Sequence, residues 1–190
     1  MSLHKNISNF FFNVRILDIS LLKDYWIFYK KFYGIDKSKF SFYPLFKPEP
    51  PKSFNEFKFR FLKWSKEKGN FYIFVMYFNK LIVGCSFVKN IRKIKTKNSH
   101  DKHPSTGIYV LKGFRNIGVA SFLMKVLLYY LKKKRVKKVY ATVSTKNYHS
   151  LKLHKSIKFI NTNKKIKRFF YVNKKKNNFT DIILERKITQ

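Results

Sequence analysis

Along the chain, apolar and polar positions alternate between two periods. The first apolar run, residues 11–17, predicts a strand bounded by Asp18 and Ser20. Ser20 is placed to cap a helix over 21–32 that stops at Gly34. Residues 35–52 contain Pro44, Pro48, Pro50 and Pro51, so no helix passes through and the segment reads as a variable insert. Ser53 and Glu56 form an S-x-x-E capping box. The helix behind it carries Phe57, Phe61 and Trp64 at i, i+4, i+7 and stops near Gly69. Residues 71–78 and 81–88 are rich in aromatic and β-branched side chains, and Asn79-Lys80 between them predicts a hairpin.

A basic polar loop follows over 89–103, then a third apolar strand over 107–111. A helix opening near Gly118 carries the stripe Ala120, Leu123, Met124, Leu127, Tyr130 and Leu131. It ends in Lys132-Lys133-Lys134-Arg135, where cations suit the negative end of the helix dipole. Residues 136–143 predict a strand and 147–156 a short helix. Two last strands, 168–172 and 180–185, flank a loop at 173–179. The order β-α-α-β-β-β-α-β-α-β-β predicts a mixed α/β sheet with helices packed on it. One domain over 1–190 is expected, with its firmest core at 71–187.

Composition narrows the class. Apolar residues make up 45% of the chain, enough to fill a core. The longest stretch without Lys, Arg, Asp or Glu runs from Gly69 to Asn79, against the ~20 residues of a spanning helix. No long apolar block opens the chain, so no secretory signal is expected and a cytoplasmic location is. The single Cys85 excludes an intrachain disulfide and a cysteine-built zinc site. The charge is lopsided: 43 Lys and Arg against nine acids, a formal +34. Binding to a polyanion is one reading. Compositional bias toward Lys, Asn, Phe, Tyr and Ile is the other. Only seven of the 43 are arginine, the better residue for bidentate phosphate recognition, which weakens a dedicated nucleic-acid role and favours non-specific contact.

Nucleophile-elbow, Walker and H-E-x-x-H patterns are absent. His100-Asp101-Lys102-His103 reads as a solvated turn in preference to a metal site. The segment 110–120 is more informative. A strand ends at Val110 and a helix starts near Gly118, and the free N–H groups of a helix N-terminus attract anions. Gly118 leaves room for a phosphate, and Lys112, Arg115 and Lys125 add charge. A purely structural strand-turn-helix is the competing reading.

The string Arg115-Asn116-Ile117-Gly118-Val119-Ala120 resembles the R/Q-x-x-G-x-G/A motif of the GNAT superfamily of N-acetyltransferases, with Ile108-Tyr109-Val110 and Phe114 as its lead-in. Further on, Asn147-x-x-Ser150-x-x-Leu153-His154-x-x-Ile157-x-Phe159 resembles the family's N-x-x-A-x-x-L-Y-x-x-x-G-F segment. The resemblance covers about residues 71–160. It implies a mostly antiparallel central sheet with helices on both faces, splayed after Val110 to hold acetyl-CoA as cosubstrate. It further implies that the backbone of Ile108, Tyr109 and Val110 pairs with the pantetheine arm. The resemblance also implies that the N–H groups from Asn116 through Ile117, Gly118, Val119 and Ala120 to Ser121, beside Arg115, hold the pyrophosphate.

Asn147, Ser150, Leu151 and His154 share one helix face. Asn147 is then expected on the pantetheine amides. His154 stands where the family commonly has a Tyr that protonates the leaving thiolate, with Tyr148, His149 and Tyr171 as spare donors. The Val110 N–H would stabilise the oxyanion. Two departures stand out: Lys158 replaces the usual Gly, and Thr142 stands where many relatives carry a basic Glu, leaving Glu56, His103 or water as base. The expected activity is acetyl transfer from acetyl-CoA to an amine on a small molecule or protein. The alternatives are a weakly catalytic module that binds CoA or a polyanion, and a basic nucleic-acid-associated protein.

Overall fold

The structure, a computed structural model, describes residues 3–7, 10–35, 51–67, 71–89, 104–172 and 175–189. Most of the proline-rich insert and the loop with His100, Asp101 and His103 lie outside these residues.

The elements are β1 (Leu3–Ile7), β2 (Phe10–Ile16), α1 (Leu22–Ile35), α2 (Phe54–Glu67), β3 (Tyr72–Phe78), β4 (Leu81–Lys89), β5 (Ser105–Val110), α3 (Val119–Lys133), β6 (Lys138–Ser144), α4 (Tyr148–Ser156), β7 (Ile160–Val172) and β8 (Lys175–Lys187). The strands form one sheet in the order β1-β2-β3-β4-β5-β6-β8-β7. All neighbours are antiparallel except β5 and β6. The predicted order of elements holds, with one strand added at the N-terminus. β1 is short and polar, so it carries no periodic signal and exists only by pairing with β2.

Local chemistry sets several boundaries. Asp18, not Ser20, organises the entry to α1: its carboxylate accepts from the N–H groups of Ser20 (2.8 Å) and Leu21 (3.2 Å) and from the Ser20 hydroxyl (2.6 Å). The capping box on α2 is real. Ser53 Oγ accepts from Glu56 N–H at 3.2 Å, and Glu56 reaches back to Lys52 N–H at 2.7 Å. Asn79 takes φ 54° in the hairpin turn, a conformation that Asn tolerates. The last hairpin departs from expectation. β7 begins at Ile160, and residues 175–179, expected as loop, are part of β8. Long polar strands of this kind have no sequence alternation to reveal them, because their partner strand supplies the hydrogen bonds.

Two apolar layers enclose the sheet. α3 and α4 cover one face, where Leu123, Met124, Leu127 and Leu131 pack on Phe74, Val83, Val88 and Val139. α1 and α2 cover the other, with Tyr25, Trp26, Tyr29 and Phe57 in mutual ring contact above Val75 and Cys85. Gly84 in β4 is required by packing. A Cβ there would stand 3.1 Å from Leu123 Cδ1 and from the Tyr109 carbonyl oxygen and 3.2 Å from Val119 Cγ1, so glycine is what lets α3 seat its first turn on the sheet. No described helix is long and apolar enough to cross a membrane.

Candidate active site

Strand β5 sets the geometry. It pairs with β4 over its whole length, from Gly84↔Val110 to Lys89↔Ser105. With β6 it shares only Ser105↔Tyr140 and Thr106↔Ala141. Beyond Thr106 the two parallel strands separate, so one edge of β5 is left open. The Leu111 N–H donates to the Val83 carbonyl on the β4 side (2.9 Å). Strand alternation therefore turns Tyr109 toward β4 and aims the backbone groups of Ile108 and Val110 into the gap. Of the three residues expected to meet a pantetheine arm, two present their N–H and C=O groups there. The Arg115 Nε donates to the Val110 carbonyl at 3.0 Å, which ties the following turn to the strand end.

That turn is a 3₁₀ segment, Lys112–Phe114, followed by exposed residues 115–118. Asn116 has φ 64° and Gly118 φ 88°. Gly118 caps α3 in the left-handed region, with no atom of the described residues within 4 Å of where a Cβ would stand. The first hydrogen bond of α3 runs from Phe122 N–H to the Gly118 carbonyl (2.9 Å). The N–H groups of Val119, Ala120 and Ser121 accordingly have no backbone acceptor among the described residues. Three convergent donors, the positive end of a fifteen-residue helix and an open approach over Gly118 fit a pyrophosphate. Lys112 and Lys125 are exposed nearby along the chain.

The second motif lies on α4. Asn147 is its N-cap, and its Oδ1 accepts from Ser150 N–H at 3.1 Å. That oxygen is engaged in folding, which leaves the Nδ2 donors as the part of the side chain suited to a ligand carbonyl. Tyr148 and His149 face solvent. His154 is 2% exposed and meets the Phe159 ring edge-on at 5.0 Å. Its Nδ1 lies 2.7 Å from the Ser150 carbonyl. A carbonyl only accepts, so Nδ1 carries the proton. Nε2 is buried without a hydrogen-bond partner among the described residues. Burial holds the imidazole below its ordinary pKa, against the opposing pull of the Ser150 carbonyl. A neutral ring protonated on Nδ1 offers a lone pair at Nε2. The leaving-group acid expected at this position would need the other tautomer or the cationic ring. Lys158 adopts φ 63°, a left-handed conformation at the point where the motif usually has Gly.

Glu56 is unsuited to serve as base. Its carboxylate is held below the usual range by the Lys52 N–H and by Arg60, which it pairs on the next turn. Sequence reading passed over Asp181. Val139, Ala141 and Val143 of β6 face α3, so Ser144 points to the opposite face. Pairing puts Asp181 beside Ser144. Its side chain is fully buried, and the β5–β6 register puts it level with Tyr109 across the gap. An acid set inside the apolar run Thr180-Asp181-Ile182-Ile183-Leu184 was the available signal.

A mixed sheet splayed beside an open strand edge, with a glycine turn leading into a helix, matches the fold that the resemblance to the GNAT acetyltransferases implies. The sequence model of the acetyltransferase (GNAT) family matches residues 39–159, and the chain belongs to that family. Its cofactor is acetyl-CoA. Among solved structures, an N-acetyltransferase from Staphylococcus aureus Mu50 is similar at a TM-score of 0.71 and 18% identity, over 94% of this chain and 99% of that one. A ribosomal-protein-alanine N-acetyltransferase from Brucella melitensis is similar at 0.69 and 15%, over 92% and 98%. The yncA structure from Salmonella typhimurium with its cofactor acetyl-CoA is similar at 0.68 and 12%, over 94% and 95%. Comparison with curated protein sequences gives no match.

Proposed function

We propose that this chain transfers an acetyl group from acetyl-CoA to a primary amine that attacks the thioester directly. The observation that carries the reading is the open edge of β5 beside the unpartnered N–H groups of α3. One feature recognises an extended amide-bearing arm and the other its diphosphate. Acetyl-CoA supplies the activated acyl group. The chain supplies orientation, with the Val110 N–H, aimed into the gap, as donor to the carbonyl oxygen as charge develops on it. His154 packs α4 and holds its Nε2 lone pair toward the interior, and the departing sulfur takes its proton from water in the gap.

An ammonium must lose a proton before it can attack. The cationic field of the chain lowers the pKa of a bound amine. Asp181 receives that proton through water. It stands two inter-strand steps from β5, about 10 Å before the splay widens the distance. With nine acids against 43 cations, a polyamine acceptor is repelled and a neutral or acidic amine is preferred.

CoA release measured against a panel of amines tests this. Turnover is expected with neutral or acidic amines and peptide N-termini, and a lower kcat/KM with polyamines. Asp181→Asn keeps the shape of the side chain and should lower kcat by at least ~10-fold, with CoA affinity unchanged. Binding of acetyl-CoA without transfer to any amine would instead make the chain a CoA-binding module.

A further inference from the structure

The far end of α3 carries a pattern that acetyl transfer does not use. It reads Tyr129-Tyr130-Leu131-Lys132-Lys133-Lys134. Tyr129 with Lys133 and Tyr130 with Lys134 are i, i+4 pairs. Each ammonium lies over its ring, 4.9 Å and 5.5 Å from the centroid. Tyr129 is 47% exposed. Beside these rings a shallow, open-sided groove runs between α3 and the face of β2 and β3. Ile16, Phe74 and Val126 line it, the two tyrosines wall it and Lys133 stands at its rim.

Exposed cations surround this end of the helix: Lys132, Arg135 and Lys137. From Pro104 to the C-terminus the sequence has 22 Lys and Arg against two acids. Of those two, Asp181 is fully buried and Glu185 is paired with Lys138 at 3.1 Å. No exposed, uncompensated acid in this half of the sequence offsets the cations.

Charge alone would suit any polyanion. The aromatic wall and the apolar slot narrow the choice, because a nucleobase has a flat face to stack and a backbone phosphate one step away. An acidic peptide has the charge without the face. In a duplex the base faces are hidden. We infer that the C-terminal end of α3 docks single-stranded nucleic acid: one base stacks on the exposed ring of Tyr129 at the rim of the groove, and phosphates meet Lys132, Lys133 and Lys134. The phosphate-binding turn at the other end of α3 is fifteen residues away, ~22 Å along the axis, so both sites can be filled at once.

The test is fluorescence anisotropy of a labelled 12-residue oligouridylate with the full chain across a salt series. Tyr129→Leu keeps the bulk and the charge and removes the ring. It should weaken binding at least threefold. The triple change Lys132→Gln, Lys133→Gln, Lys134→Gln should weaken it at least thirtyfold and reduce the salt slope by roughly 2, at ~0.7 per phosphate contact. A control of equal charge change on the opposite layer, Lys23→Gln, Lys58→Gln, Lys63→Gln, should stay within twofold of the parent. Thermal melting and CoA binding report on the fold of each variant. Equal loss in the two triple variants, no effect of Tyr129→Leu, or polyglutamate of matched charge competing as well as unlabelled oligouridylate would overturn the assignment and leave only diffuse charge.

Discussion

Gly118 separates backbone strain from anion recognition. Its φ of 88° costs any L side chain about 1–2 kcal/mol, whatever the side chain is. No atom of the described residues lies within 4 Å of the Cβ position, so substitution adds no clash with them. Gly118→Gln and Gly118→Glu therefore share the same strain and nearly the same bulk, and differ by one charge. Both should melt a few degrees lower, at ~2–4 °C per kcal/mol for a chain of this size. The comparison that matters is between them. A carboxylate about 5 Å from a bound phosphate, on an exposed turn of high effective dielectric, costs about 1–2 kcal/mol of binding. Calorimetric titration with CoA should give a Kd five- to thirtyfold weaker for Glu than for Gln, with the ratio shrinking as salt screens it. Both variants should bind more weakly than the parent, because the side chain points into the open space over the turn. Equal affinity of Glu and Gln, at the parent value, would show that the phosphates lie elsewhere and would remove the assignment of this turn.

His154 makes stability pH-dependent in a stated direction. Its folded pKa is lowered by burial, so the unfolded chain binds the proton first. The contribution is fully present above the unfolded value of about 6.5 and is lost as pH falls below it toward the folded pKa. His154→Phe should flatten the change in urea midpoint between pH 7.5 and pH 5, and should leave kcat within about threefold. A ~10²-fold loss of kcat would restore the leaving-group acid to this position. Gly84→Ala should destabilise by about 1–3 kcal/mol, since Leu123, Val119 and the Tyr109 carbonyl must give way. A thermal midpoint unchanged from the parent would mean α3 seats on the sheet less tightly than these distances require.

The sequence by itself determined the elements whose signal is local. The capping box at Ser53 and Glu56 closes its hydrogen bonds within the five adjacent residues 52–56, so the local residue pattern alone announces it. The stripe along α3 is read from the 3.6-residue period, and the turn at Gly118 from a glycine before that stripe. These are short-range properties, and they were enough to locate the turn that opens α3 with its left-handed glycine.

Tertiary structure decided what depends on partners distant in the chain. Whether β5 keeps an open edge depends on where β6 leaves it, after two paired residues. β1 and the extended last hairpin are polar, and they exist through the backbone hydrogen bonds of neighbours that no period encodes. The motif position of His154 suggested an acid. Only its burial and the carbonyl at 2.7 Å assign the proton to Nδ1. Asp181 and Ser144 lie 37 positions apart in sequence, and only the β6–β8 register makes them neighbours. Protonation state and proximity are set by surroundings that the fold assembles, and for that reason they could not be read from the chain.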